Sequence, residues 1–152
     1  KKMFNVIAKY QPYYVITHMQ GNPTNMQNSP SYKNVTKDIY IFLKEKIRRL
    51  GDMGIEKIII DPGFGFGKTL NHNYTLLKKL KEFQKLNIPI LIGVSRKSMI
   101  YKLLDCSVKK ALNGTTAIHS IAIENGANIL RVHDVKEAKE VISIFNFMKD
   151  LG

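Results

Sequence analysis

Short apolar runs alternate along the chain with segments whose apolar residues recur every three to four positions. The run at 58–60 is all isoleucine, a composition typical of a strand buried on both faces. Together the runs predict strands at 13–19, 58–60, 89–94 and 128–133. The periodic segments predict helices at 3–8, 35–50, 71–86, 98–104, 113–124 and 134–148.

This order of elements predicts an α/β fold of parallel βα repeats. Each strand is followed by helix, so right-handed crossovers within one parallel sheet are expected. A complete eight-unit barrel takes about 250 residues, whereas this chain has 152 and opens with helical spacing. We therefore interpret residues 1–152 as a single partial domain: the C-terminal half of a TIM (β/α)8 barrel, strands 5–8, without the N-terminal half.

The strand at 58–60 ends in a carboxylate, Asp61, followed by Pro62 and a loop with glycine at every second position (Gly63, Gly65, Gly67). Ligands of α/β folds bind at the carboxyl ends of the strands. Three glycines cost enough conformational entropy to favour a loop shaped around a ligand over a simple turn. A P-loop or a dinucleotide fingerprint would need glycine at Pro62 or Lys68, so neither motif is present.

The fourth strand ends in Arg131 and His133, which alternation along a strand places on the same face. Because the pair lies beside the helix start at Asp134, it is suited to bind an anion, and phosphate is the anion that fits best. The alternative is a salt bridge from Arg131 to Asp134 with His133 packed as a neutral core histidine. We also expect Asp134 to cap the last helix, with Glu137 as its capping-box partner.

The third strand leads into a second polar helix start at 95–98, which offers free backbone N–H groups, hydroxyls and two cations. It suits a carboxylate or another electron-rich ligand, unless Arg96 and Lys97 are merely solvated. The predicted placement of Asp61 opposite Lys97 is a more specific indication of the ligand's chemistry. A carboxylate accepts from a paired N–H edge and an ammonium donates to a carbonyl or ring nitrogen, so a flat heterocycle with both edges fits between them.

Charge and composition narrow the function classes. The formal charge of +12 would suit a nucleic acid, but the lysines are scattered over helix faces, where solvation is the usual explanation. We expect no nucleic-acid partner and, without an apolar run of spanning length, no membrane. The single cysteine, Cys106, excludes a disulfide framework and favours the cytoplasm. No spacing of His, Cys, Asp and Glu indicates a built-in metal site.

Four ordered motifs resemble those of the dihydropteroate synthases, the folate-pathway enzymes that sulfonamides inhibit. The motifs are DPGFGFGK at 61–68 with NHNY at 71–74, GVSRKS at 93–98, RVHDV at 131–135, and HMQGNP at 18–23, which fits the family's fifth strand. The resemblance covers essentially the whole chain, and it is to the C-terminal half of the bacterial type.

The resemblance implies a TIM barrel that joins p-aminobenzoate to 7,8-dihydropterin-CH2-pyrophosphate and expels pyrophosphate, with Mg²⁺ present. Carried over by motif position, the residues implied for the pterin are Asp61, Lys97, Met19 and Gly93. Phe66 and Ser98 would flank p-aminobenzoate, and Arg131 and His133 would hold pyrophosphate. Catalysis would be mainly electrostatic, with Lys97, Arg131 and His133 as its residues.

The chain also departs from the family. The first four strands are absent, and with them the flexible loops and the asparagine that engages Mg²⁺ and pyrophosphate. Ala111 stands where the family usually has an arginine. We therefore expect little or no synthase activity from this chain alone, and a homodimer only for the full-length enzyme. Exposed edges on half a sheet are an association hazard.

Two other interpretations remain open. One is a degraded fragment that keeps a pterin or phosphate pocket without turnover. The other is a pterin-binding barrel of the methyltransferase type, which shares the pterin-facing aspartate but should lack the paired motifs at 95–98 and 131–133.

Overall fold

The structure is a computed structural model that describes residues 2–22, 24, 26 and 29–151, without the side chain of Lys2. Its helices are α1 (Lys2–Tyr10), α2 (Val35–Gly51), α3 (Leu70–Lys78), α4 (Ser98–Tyr101), α5 (Leu112–Glu124) and α6 (Val135–Asp150). The strands are β1 (Tyr14–Thr17), β2 (Ile58–Asp61), β3 (Leu91–Ile92) and β4 (Ile129–Leu130). Two 3-10 helices, Leu80–Leu86 and Val108–Lys110, complete the elements.

The strands are parallel and lie side by side in chain order. β1 pairs with β2 and β3 pairs with β4. A parallel bridge between Ile60 and Ile90 joins the two pairs. Each step from strand to strand passes through helix, as in a βα-barrel. The prediction of parallel βα repeats forming half of a TIM barrel is therefore confirmed.

The two faces of this sheet have different surroundings. Ile58 and Ile60 point to the helices and are 5% and 0% exposed, within a core that also includes Ile39 and Leu43 of α2. The opposite face carries Val15, which is 37% exposed, and the side chains that make up the candidate site. In a closed barrel this second face points inward, so the fold leaves the predicted site on the open side of the sheet.

Helix α2 forms where the sequence predicts it, because both the cap and the apolar face support it. The Asn34 side chain accepts from the backbone N–H of Lys37 at 3.1 Å. The Asp38 carboxylate accepts from the backbone N–H groups of Lys33 and Asn34. Such caps satisfy backbone donors that have no partner inside the helix, and they fix the start of the helix at Val35.

The predicted helix at 71–86 is instead two pieces, which meet at Lys79. The second is a 3-10 helix, and its apolar residues Leu80, Phe83 and Leu86 are spaced by three, the period at which 3-10 side chains line up. Leu80 and Phe83 are both 0% exposed. The tighter winding thus keeps one apolar face on the core.

Three strands are shorter than predicted, and the third and fourth retain only two residues each, whereas β2 extends one residue further, to Asp61. The loop predicted after β1 falls partly outside the described residues, which omit Pro23, Asn25, Gln27 and Asn28. Within the part that the structure describes, no helix combines the length and apolarity needed to cross a bilayer.

Candidate functional site

Asp61 is the buried anchor of the site. It ends β2, is 1% exposed, and its Oδ1 accepts the backbone N–H of Gly63 at 2.8 Å. The Thr17 hydroxyl approaches Oδ2 from β1 at 3.4 Å. Gly63 has a φ of +73°, and a Cβ there would lie 1.9 Å from the carbonyl oxygen of His18. Only glycine allows the loop to pass this close to the neighbouring strand.

The Arg131 side chain, which directly follows β4, extends across the sheet to Asp61. Its Nη2 lies 3.5 Å from the Oδ2 of Asp61. The guanidinium passes over Gly93, where a Cβ would come within 2.7 Å of that nitrogen. The Arg131 side chain stays 55% exposed, so the pair joins a buried carboxylate to a cation that water and ligands can reach.

Lys97 approaches the same place from the turn before α4. Its Nζ donates to the carbonyl oxygen of Phe64 and lies 4.4 Å from the centroid of the Phe66 ring. Burial lowers the pKa of Lys97 to about 8; nearby Arg131 adds to this, while Asp61 opposes it. The structure therefore brings Asp61, Lys97 and Arg131 together, as predicted.

Lys68 is a buried cation that sequence reasoning assigned no role. It is 4% exposed, and its Nζ donates to the carbonyl oxygens of Gly63 at 2.7 Å and Phe66 at 3.0 Å. Its third partner is the Nδ1 of His18, at 3.1 Å. The glycine loop thus wraps around an ammonium group. The one signal in the sequence is position, since Lys68 directly follows the last loop glycine.

Burial shifts the titration of this pair. Desolvation lowers the pKa of Lys68 to about 7, against an opposing effect of Asp61. Burial, and then the charge of Lys68, lower the pKa of His18 to about 4. Both shifts favour the uncharged form, because a low-dielectric environment penalises charge.

The structure contradicts the alternative in which Arg131 pairs with Asp134 and His133 lies in the core. His133 is exposed, and its Nδ1 lies 3.0 Å from the hydroxyl of Ser95. Asp134 pairs with Arg96 through two hydrogen bonds instead. Arg131 and His133 are therefore both available on the open side of the sheet.

The predicted capping box of α6 is wrong. Asp134 occupies the N-cap position but makes no side-chain cap hydrogen bond. Its carboxylate is held by the Arg96 guanidinium, which also lowers the pKa of that carboxyl. A charged, two-point bond to Arg96 outweighs a single bond to a backbone N–H. Arg96 is consequently not one of two solvated cations.

The remaining predicted residues lie near this cluster. Ser98 begins α4 and lines a pocket of about 200 Å³ with Lys68, Thr69, Asn73 and Lys102, among others. The Phe66 ring lies beneath the ammonium of Lys97. Met19 is half-buried two residues beyond the end of β1. The described side chains include no group of three or more His, Cys, Asp or Glu able to hold a metal ion.

This arrangement has a definite chemistry. A buried carboxylate that retains accepting capacity can bind a paired N–H edge, and two cations beside it can bind a carbonyl or an anion. The Phe66 ring adds an apolar contact for a flat ligand.

Known proteins resemble the chain in both sequence and structure. Residues 1–133 match the family model described as "Pterin binding enzyme". Dihydropteroate synthase of Escherichia coli K12 is 48% identical over 131 residues, which are 85% of this chain and 46% of the relative. The chain thus spans about half the length of the curated relatives it matches.

Two solved structures give the same result. The Yersinia pestis dihydropteroate synthase in complex with a sulfonamide drug superposes with a TM-score of 0.95, at 42% identity, covering 98% of this chain and 55% of that one. The Thermus thermophilus enzyme in complex with 4-aminobenzoate superposes with a TM-score of 0.92, at 33% identity, covering 97% of this chain and 61% of that one. This chain therefore belongs to the pterin-binding enzyme family, and the relatives that it resembles are dihydropteroate synthases.

Proposed function

We propose that this chain is the C-terminal half of a dihydropteroate synthase barrel. The complete site would condense p-aminobenzoate with 7,8-dihydropterin-CH2-pyrophosphate to give dihydropteroate and pyrophosphate. The observation that carries the proposal is the meeting of Asp61, Lys97 and Arg131 on the open side of the sheet. Residues 1–152 would form one partial domain, completed by an N-terminal half.

The pterin would bind between Asp61 and Lys97. The carboxylate is fixed by Gly63 and Thr17, which leaves it able to accept the amino-pyrimidine edge of a pterin. The Lys97 ammonium would exchange the Phe64 carbonyl for the carbonyl and ring nitrogen of the ligand. Met19 and Gly93 would line the slot, with Gly93 leaving room for a flat ring and the Arg131 guanidinium.

The p-aminobenzoate would bind on the Ser98 side of Lys97. The pocket of about 200 Å³ there has hydroxyl and lysine groups suited to a carboxylate. Phe66 would contact the benzene ring. A sulfonamide resembles p-aminobenzoate in shape, so we expect sulfonamides to compete at this place.

Pyrophosphate would be held by Arg131 and His133. In the reaction the amine nitrogen of p-aminobenzoate attacks the CH2 carbon, the bond from carbon to the pyrophosphate oxygen breaks, and the amine proton leaves to solvent. Negative charge grows on the departing oxygen, and the cations Lys97 and Arg131 lie close enough together to stabilise it. The contribution of this half is thus electrostatic and positional.

Mg²⁺ remains a proposal for the complete enzyme. The only carboxylate of the cluster, Asp61, already pairs with Arg131, and the described residues offer no three-ligand group. The ligand residue is expected in the N-terminal half, so no step proposed for this chain passes through the metal. For the same reason we expect this chain alone to have little or no synthase activity.

The full-length enzyme is proposed to be a cytoplasmic homodimer that binds no nucleic acid and no membrane. Helix α6 and its C-cap residue Leu151 present an apolar stripe to solvent, since Ile144, Phe147, Met148 and Leu151 are 64–73% exposed. Exposed apolar stripes of this kind mark protein interfaces. Substituting Phe147→Lys should weaken dimerisation in sedimentation runs, whereas Leu103→Lys, also apolar and 54% exposed but outside α6, should leave it unchanged.

Two alternatives use the same pocket. A degraded fragment would bind a pterin or a phosphate without supporting turnover. A methyltransferase-type barrel would keep Asp61 but not the cations. The ion pair of Arg131 with Asp61 and the contact of His133 with Ser95 favour the synthase over the methyltransferase-type barrel.

Complementation tests the proposed function. The chain would be co-expressed with the N-terminal half of the Escherichia coli relative, which is 48% identical over the shared part, and dihydropteroate formation would be assayed. We expect product from the mixture, none from either half alone, and none with Lys97→Ala. Folded mixtures that bind a pterin without forming product would favour the degraded fragment.

A further inference from the structure

The side chains of Ser95 and His133 are in contact, although 38 positions separate them. Ser95 follows β3 and is 5% exposed. Its Oγ lies 3.0 Å from the Nδ1 of His133 and 3.3 Å from the backbone nitrogen of the same residue. One buried hydroxyl therefore meets His133 at two atoms.

The chemistry of the donors fixes the direction of one of these contacts and leaves a proton for the other. A backbone N–H can only donate, so the Ser95 oxygen accepts from the nitrogen of His133. The single hydroxyl proton is then available to the ring, and no other described group accepts it. A hydroxyl that donates to the neutral imidazole makes Nδ1 the acceptor and places the ring proton on Nε2.

The backbone around Ser95 is fixed, so the hydroxyl cannot easily move away. The next residue, Arg96, has a φ of +54°. Its backbone N–H donates to the Thr115 hydroxyl at 3.1 Å, and its side chain is held by Asp134. Asp134 also directly follows His133, so the two contacts join the same pair of loops.

We propose that Ser95 is a positioning residue that holds His133 in its Nε2–H tautomer, so that the neutral ring presents an N–H donor to the departing pyrophosphate. No described residue accepts from Nε2, and the ring is exposed on the side where Arg131 also ends. The proposal rests on the proposed function for the identity of the anion. Holding the tautomer itself requires only the contact with Ser95.

The direct test is long-range ¹H–¹⁵N correlation NMR of the full chain at about pH 8.5, where free imidazole is neutral. His133→Gln assigns the signals, and the other three histidines serve as internal references. We expect the ¹⁵N chemical shift of Nδ1 of His133 to be that of an unprotonated ring nitrogen, and the shift of Nε2 to be that of a protonated one. Ser95→Ala should move Nδ1 toward the N–H range, and Ser95→Thr, which keeps the hydroxyl, should restore the wild-type pattern.

Ser120→Ala is the matched control, because its hydroxyl lies on α5 and bonds only to the Thr116 carbonyl at 3.2 Å. A wild-type His133 protonated on Nδ1 overturns the proposal even if Ser95→Ala fails to fold. Identical spectra for folded wild type and Ser95→Ala overturn it as well.

Titration with inorganic pyrophosphate separates the two proposals. We expect Ser95→Ala to weaken binding about threefold, the size of one lost orienting hydrogen bond, and Ser120→Ala to have no effect. If wild type shows the expected tautomer but binds no pyrophosphate, the proposed function fails while the tautomer assignment stands. If pyrophosphate binds and Ser95→Ala binds it equally well, the positioning role fails.

Discussion

Arg131 and Asp61 form an ion pair of 3.5 Å that crosses over β3, since Asp61 ends β2 and Arg131 follows β4; Arg131 is largely exposed and Asp61 is buried. The buried carboxylate has lost most of its hydration, so its charge depends on the neighbouring cation and on the N–H of Gly63. A ligand that carries both an N–H edge and an anionic group can replace both partners at once.

Gly93→Ala should disturb this pair without unfolding the protein. A Cβ at Gly93 would lie 2.7 Å from Nη2 of Arg131, the end of a long side chain that can move away. We expect an almost unchanged melting temperature but pyrophosphate binding about tenfold weaker by calorimetry, as for a lost charged hydrogen bond. Gly51→Ala is the control, since nothing lies within 4 Å of its added Cβ. Equal binding by both variants would show that the Arg131 position does not matter.

Lys68→Met should destabilise the fold. The substitution keeps much of the side-chain volume but leaves His18 and the carbonyls of Gly63 and Phe66 without their donor. A buried group left unpaired costs about 1–3 kcal/mol. Urea unfolding measures the loss, with Lys78→Met on the exposed side of α3 as the control. A stability within error of the control would mean that the loop holds its shape without the ammonium.

Lys68 should also make stability depend on pH. Its pKa is about 7 when folded and 10.5 as a free side chain, so between these values the unfolded chain binds more protons. Raising the pH across this window therefore favours the folded state. The free energy of unfolding of the wild type should rise more steeply from about pH 7 to pH 9 than that of Lys68→Met. Parallel curves for the two proteins would contradict the buried, partly neutral lysine.

His18 should make the free energy of unfolding depend on pH over a second, lower range. Its folded pKa of about 4 lies below the free value of 6.5, so the unfolded chain again binds the extra proton. Stability should fall as the pH drops from about 6.5 to 4. An NMR titration of the four histidines checks the cause: the His18 signal should still be that of a neutral ring at about pH 5.5, and a charged ring at that pH would be the contrary result.

The sequence predicts the convergence of the strand ends because two simple rules determine it. Parallel βα units bring every carboxyl end to one side, and alternation selects the face, so the placement of Asp61, Lys97 and Arg131 follows without knowledge of distances. The same rules could not place Lys68. A lysine after a glycine loop is ordinarily solvated, and its burial depends on how the loop folds over His18.

The errors at Asp134 and Lys79 have tertiary causes. Local sequence favours a capping box at Asp134, but Arg96, 38 positions away, holds the carboxylate more strongly. The break at Lys79 lets Leu80 and Phe83 reach the core through a 3-10 helix. In both places a contact remote in sequence outweighs a local preference.

Calorimetric titration of the chain with 7,8-dihydropterin-CH2-pyrophosphate tests directly whether Asp61 lies in a pterin pocket. We predict binding at one site, weakened at least about tenfold by Asp61→Asn, because the amide cannot replace the charged acceptor. Asp52→Asn, which alters an exposed ion pair with Arg48, should bind like wild type. No binding by the wild-type chain, or equal binding by Asp61→Asn, would contradict a pterin pocket built around Asp61.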